Sequence, residues 1–173
     1  MRLLAVLVLV LMLGGAVVAI PEAIVMGAYK VSFDMGRNVP LDWNVTGPIE
    51  SETLDGISYT EFSAESMVDY PLTIRITVRS TNETGPLNQT EINNAKNNIA
   101  GLLKNCIDER IVDRVIDGTR GVIGAGFDSD ANEQFYIACW KDNQTAYDIS
   151  TYRPWENGTL SLLKTIHVER ITP

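Results

Sequence analysis

Five asparagines stand two residues ahead of a threonine: Asn44, Asn82, Asn88, Asn143 and Asn157. Asn-x-Thr is the acceptor pattern for N-linked glycan transfer, because the hydroxyl two residues on positions the amide for attack on a glycosyl donor. The chain has twelve Asn, and each has twenty-three chances in 173 of meeting a Ser or Thr at that position. Chance alone would give ~1.6 such sites, so five is an excess. An Asn- and Thr-rich composition is the plain alternative source of them.

The two cysteines, Cys106 and Cys139, match no zinc-ligand spacing, and the chain has a single histidine. Outside the cytoplasm the expected chemistry is a disulfide between them, closing a 33-residue separation and contributing about 3–4 kcal/mol by loop closure. Two buried free thiols are the alternative. Asp128, Asp130 and Asn132 repeat the alternate spacing that opens an EF-hand calcium loop. Glu133 then stands where that loop needs Gly, and Cys139 where it needs its bidentate Glu, so any calcium site here would be weak. No other cofactor is expected.

Enzymatic patterns are missing. There is no G-x-S-x-G and no H-E-x-x-H, and His167, the one imidazole, lies in an apolar segment. Gly121, Gly124 and Gly126 are in the wrong order for a dinucleotide loop, and no helix follows them. They fit a thinned strand with a bend or a close backbone approach. Twenty-two acidic residues always offer carboxylate pairs, but nothing singles one out.

The N-terminal residues decide the compartment. Arg2 is followed by an apolar run to Leu13, then Gly14, Gly15 and the small-residue exit at Val17, Val18 and Ala19. Residues 1–19 therefore read as a secretory signal peptide cleaved after Ala19, or as an uncleaved membrane anchor. The formal charge of −8 becomes −9 once Arg2 leaves, since thirteen Lys and Arg then face twenty-two Asp and Glu. Such a field repels phosphate backbones and anionic lipid headgroups, so nucleic acid is not expected as a partner, and a membrane is met only through an uncleaved leader.

The remaining 154 residues suit one domain, which at that size buries roughly 68–70% of its unfolded surface. Alternation marks strands at Ala28 to Gly36, at Ile57 to Ser63 and most clearly at Tyr70 to Ser80, where Leu72, Ile74, Ile76 and Val78 face one way. Residues 37–56 carry Pro40, Gly47 and Pro48 and read as a long connection with a short strand near Trp43. Thr90 is placed to cap a helix whose apolar stripe runs through Ile92, Ala95, Ile99, Leu102, Leu103, Cys106 and Ile107. Four strands follow near 112–116, 120–127, 134–141 and 146–151, joined by turns at Asp117-Gly118 and 128–133. Residues 159–169 fit both a helical stripe and strand parity; Thr159 as a cap favours the helix.

The expectation is a single α+β domain over 28–170: an antiparallel sheet of about six to seven strands, an amphipathic helix after the third strand and a short C-terminal helix. In element order this resembles the PsbP-type sandwich of the extrinsic photosystem II protein and its relatives. The residues that carry the likeness are Val115-Ile116-Asp117-Gly118, the strand Phe135 to Trp140, and Leu162 to His167. The resemblance spans about Ala28 to Glu169, departs at the long 37–56 connection, and implies a non-catalytic accessory or binding protein with no active site to carry over. The composition also resembles that of archaeal cell-surface proteins. The function expected is that of an exported, glycosylated, non-enzymatic domain, secreted or on the outer face of the cell membrane, that meets a protein component of the envelope. The alternative is a small-ligand or calcium-binding module using the cleft between helix and meander.

Overall fold

The computed structural model describes residues 21–36, 41–52, 57–67, 72–130, 133–152 and 156–171. The expected leader, Asn132 with its neighbour Ala131, residues 37–40, 53–56, 68–71 and 153–155, and the last two residues lie outside them. Two antiparallel sheets and two helices make up the fold. β1 (Glu22–Met26), β2 (Tyr29–Phe33) and β10 (His167–Arg170) form a small sheet in the order β1-β2-β10. The large sheet has seven strands in the order β3-β4-β5-β9-β8-β7-β6. These are β3 (Trp43–Glu52), β4 (Ser58–Ser66), β5 (Thr73–Ser80), β6 (Ile107–Ile116), β7 (Thr119–Asp128), β8 (Glu133–Asp142) and β9 (Thr145–Tyr152). Helix α1 (Gln89–Leu103) links β5 to β6, and α2 (Glu156–Thr165) links β9 to β10.

The α+β class and the meander from β6 to β9 are as expected. There are ten strands where six to seven were expected, and the first helix follows the fifth strand rather than the third. The differences have local causes. β1 stands directly after the apolar leader and reads as its tail; its Glu22 is buried because its Oε2 accepts a 2.6 Å hydrogen bond from Trp43 Nε1. β3 is an edge strand whose polar residues and Gly47-Pro48 pair look like a connection in sequence, and its register with β4 shifts between Thr46 and Ile49. Residues 159–169 divide between the two readings: α2 ends at Thr165, and His167 to Arg170 add a strand to β2.

The Asp117-Gly118 turn does have positive φ at both residues, 49° and 73°, the backbone that closes a two-residue hairpin with the right twist. Strand alternation then sorts the large sheet into two faces. Ile74, Ile76, Tyr136, Ala138, Trp140, Tyr147 and Ile149 join the small sheet's Met26, Val31 and Phe33 and α2's Leu162 and Leu163 in the main core. Trp140 and Tyr147 stack there with centroids 5.3 Å apart. On the opposite face Ile92, Ile99 and Leu103 of α1 pack on Val122 and Cys139, each buried aliphatic side chain contributing about 1.5–3 kcal/mol. Gly124 and Gly126 of β7 let the helix come this close: a β-carbon on Gly126 would stand 2.8 Å from Cys106 Cβ, and one on Gly124 would collide with Ile99 Cγ2. The close approach expected at these glycines is thus present.

Candidate functional site

Helix α1 packs on β6 and β7. Beside it, over β8, β9 and β5, a groove follows the length of the helix. Its upper part encloses about 720 Å³ and its lower part about 360 Å³, and the two share Leu102, Ile137 and Asp148. Asn94, Asn98 and Leu102 recur every four residues and form the helical wall. Leu102 is 66% exposed, an apolar side chain overhanging the groove. The floor is built by alternate residues of three strands: Ile137 and Lys141 of β8, Asp148 and Ser150 of β9, and Arg75, Thr77 and Arg79 of β5.

The upper end is closed by Lys141, whose side chain is only 1% exposed. Its Nζ donates to Glu91 Oε1 at 2.5 Å and lies 3.9 Å from Glu83 Oε2. Burial alone would raise the Glu91 carboxyl, but hydrogen bonds from Lys141 and from the Asn88 amide, with the nearby charges of Lys141 and Arg79, hold it below the usual carboxylate range. Farther down, Arg79 Nε stands 3.9 Å from Asp148 Oδ2 and makes no hydrogen bond among the described residues. Crowding on the groove floor raises the Asp148 carboxyl, with Arg79 opposing. Its side chain is still 41% exposed, so this is the effect of a cleft rather than of an interior. Arg75 is paired with Glu61 at 3.3 Å.

The expected site residues fall as follows. Asn44 lies on the edge strand β3, Asn82 in the β5–α1 loop and Asn143 in the β8–β9 turn, and all three are exposed. Asn88, also exposed, is the N-cap of α1: its Oδ1 accepts from the amides of Thr90 and Glu91, and Glu91 returns a bond to the Asn88 amide. The cap expected at Thr90 is therefore two residues earlier. Asn157 stands in the first turn of α2. The Thr81 amide donates to Gln144 O at 2.8 Å, joining the loop of Asn82 and Asn88 to the turn of Asn143 at the groove's upper end.

The cysteines are unbonded. Helix α1 ends at Leu103, and Cys106 beyond it packs against Gly126, whereas Cys139 pairs with Val122 in β8. Four residues of β7 separate those two points, or about 13 Å, more than a disulfide's Cα separation of about 7 Å at most. Burial pushes the Cys139 thiol up to about 12, with Asp148 adding to the effect, and raises Cys106 as well.

Asp128 lines the lower groove, and its Oδ1 accepts from the Asp130 amide at 3.0 Å, closing a turn. Asn132 is outside the described residues. Among the described residues no group of three or more His, Cys, Asp or Glu is placed to hold a metal, and no helix is long and apolar enough to cross a membrane. His167 Nδ1 is 2.7 Å from Asp117 Oδ1, and Asp117 Oδ2 accepts from the Val168 amide. The aspartate thereby clamps the β6–β7 turn to β10. Ser32 is opposite His167 in register, with no hydrogen bond to the imidazole among the described residues.

Sequence reasoning missed Lys141, Arg79 and Asp148. Arg79 was legible as one of the polar residues on β5's second face; Lys141 shares parity with Ile137 and Cys139, the only signal of its burial. No family model matches the chain, and no curated protein matches it at a significant level.

Proposed function

We propose that the chain is an exported, glycosylated, non-enzymatic surface domain that acts by binding a protein component of the cell envelope along the groove beside α1. The observation that carries this reading is the exposure of Asn44, Asn82, Asn88 and Asn143 together, as acceptors must be. Cleavage after Ala19 would leave β1, which starts at Glu22, intact. The groove offers a partner segment an amide wall at Asn94 and Asn98, an apolar contact at Leu102 and the Nε of Arg79, which makes no hydrogen bond among the described residues. In the PsbP-type reading, α1, the four-strand meander and α2 are the shared elements, and β1 and the long β3 are additions.

The second reading is a small-ligand module, favoured by the volume of the upper groove, which lies in the range of ligand pockets at about 300–1,000 Å³. Its calcium form rests on Asp128 and Asp130 alone.

The test is the intact mass of protein purified from its own host, before and after deglycosylation. Export and modification give a mass starting near Ile20 with glycan increments that vanish on deglycosylation. An unmodified full-length mass would remove the surface reading. Calorimetric titration with millimolar calcium, on wild type and Asp130→Ala, separates the second reading: an absence of heat sinks its metal form.

A further inference from the structure

The small sheet packs through β1 on β3 and β4, and over β6, β7 and β8 of the large sheet lies a second concavity of about 450 Å³. Val112, Ile123, Ala125 and Phe127 give it an apolar floor in continuous register, with Val112 opposite Ile123. Arg110 and Arg114 stand on either side of Val112 on the same face of β6. Both are exposed, and neither has an ion-pair or hydrogen-bond partner among the described residues. In a chain of net charge −8 most cations of the large sheet are matched: Arg75 with Glu61, Arg79 with Asp148, and Arg120 with Asp113. Two unmatched guanidiniums over one apolar trough are the exception. Among the described residues Asp108 supplies the one carboxylate lining it, so the rim stays cationic. Gln134 Nε2 donates to Tyr136 OH at 3.3 Å, closing the far wall with a polar pair.

We infer that this trough binds an amphipathic anion, its aliphatic body lying on Val112, Ile123 and Phe127 and its carboxylate or phosphate held by Arg110 and Arg114. Guanidinium is suited to both headgroups because its planar fork donates two parallel hydrogen bonds. The site is on the opposite face from the α1 groove and does not depend on glycosylation. The same chemistry is offered by a free long-chain carboxylate and by an anionic lipid in a bilayer.

The protein as its host produces it is titrated calorimetrically with dodecanoate and with dodecanol, and is co-sedimented with phosphatidylglycerol vesicles. Saturable one-to-one binding of dodecanoate, at least ~10-fold tighter than dodecanol and lost by a similar factor in Arg110→Gln/Arg114→Gln, supports a free ligand. Capture by anionic vesicles alone, lost in the same double variant, supports the site with lipid as its source. Lys104→Gln, which removes an exposed cation elsewhere, keeps wild-type binding in either case. Equal affinity for the alcohol, unchanged binding in the double variant with an unchanged melting temperature, or no binding to either probe overturns the inference.

Discussion

Lys141 of β8 and Glu91 of α1, fifty residues apart, meet in a 2.5 Å ion pair at the head of the groove. The lysine is buried and the glutamate 25% exposed, so the pair is carried by geometry rather than by bulk water. Glu91→Gln preserves the reciprocal bond of the capping box, which accepts Gln as well as Glu. It leaves the Lys141 charge with only Glu83, 3.9 Å away. Removing one partner of such a pair costs about 3–5 kcal/mol. Urea unfolding of Glu91→Gln is expected to fall at the lower end of that range with an unchanged m-value; a loss below about 0.5 kcal/mol would make the pair an ordinary surface contact.

The same carboxyl sets a pH dependence. Because folding holds Glu91 below its ordinary value of 4.5, its ionised form is favoured in the folded state. Its contribution is therefore present in full above pH 4.5 and lost as pH falls through the lowered folded value. Asp113, lowered by hydrogen bonds from Lys96 and Arg120, acts with the same sign. Asp148, raised by burial, acts with the opposite sign. Wild type is expected to lose urea stability on acidification below pH 4.5, and Glu91→Gln to lose less over that window. Parallel curves for the two proteins would dissociate Glu91 from the acid transition.

Asn88 has two roles that mutation can separate. Its Oδ1 caps α1, while glycan attachment would use its Nδ2, leaving the accepting oxygen in place. Asn88→Ala removes cap and acceptor, costing about 1 kcal/mol. Thr90→Ala removes only the acceptor pattern, since the capping bond uses the Thr90 amide. Equal melting temperatures for these two variants, measured on unglycosylated protein, would contradict the capping role.

What was legible in the sequence followed from period. β5 alternates Ile74, Ile76 and Val78 against Arg75, Thr77 and Arg79, and the structure buries the first set. The meander was legible because its turns carry residues that tolerate positive φ, Asp117 and Asn143 among them. A cleft between helix and meander was expected, but its lining by Arg79, Lys141 and Asp148 was not, because it depends on where α1 stops covering the sheet, a matter of helix placement that no local pattern encodes. Cys106 was misplaced for a related reason. It continues the helical stripe in sequence, but its amide bonds to Leu103 O after the helix has ended, turning the chain toward β6.

The separation of the cysteines has a direct chemical consequence. Cys139 is 8% exposed and its thiol is pushed up to about 12, so little thiolate exists at neutral pH. Native protein is expected to react at no more than one thiol, at Cys106, and denatured protein at two, with no mass change on reduction. A gain of two hydrogens on reduction would reinstate the disulfide.

The contact between Gly124 and Ile99 sets how close α1 lies to the sheet, and therefore how wide the groove beside it opens. Adding one methyl group at Gly124 drives it into Ile99 Cγ2, and overpacking of this kind costs about 1–3 kcal/mol. Ile99→Ala alone should cost about 2–5 kcal/mol, because it leaves a cavity between α1 and β7. The double variant removes the clash and fills part of the cavity, so its loss should be smaller than the sum of the two by more than about 0.5 kcal/mol. Strict additivity in urea denaturation would show that α1 shifts freely over β7. The groove's width would then be set by the Lys141–Glu91 pair at its head and not by this close approach.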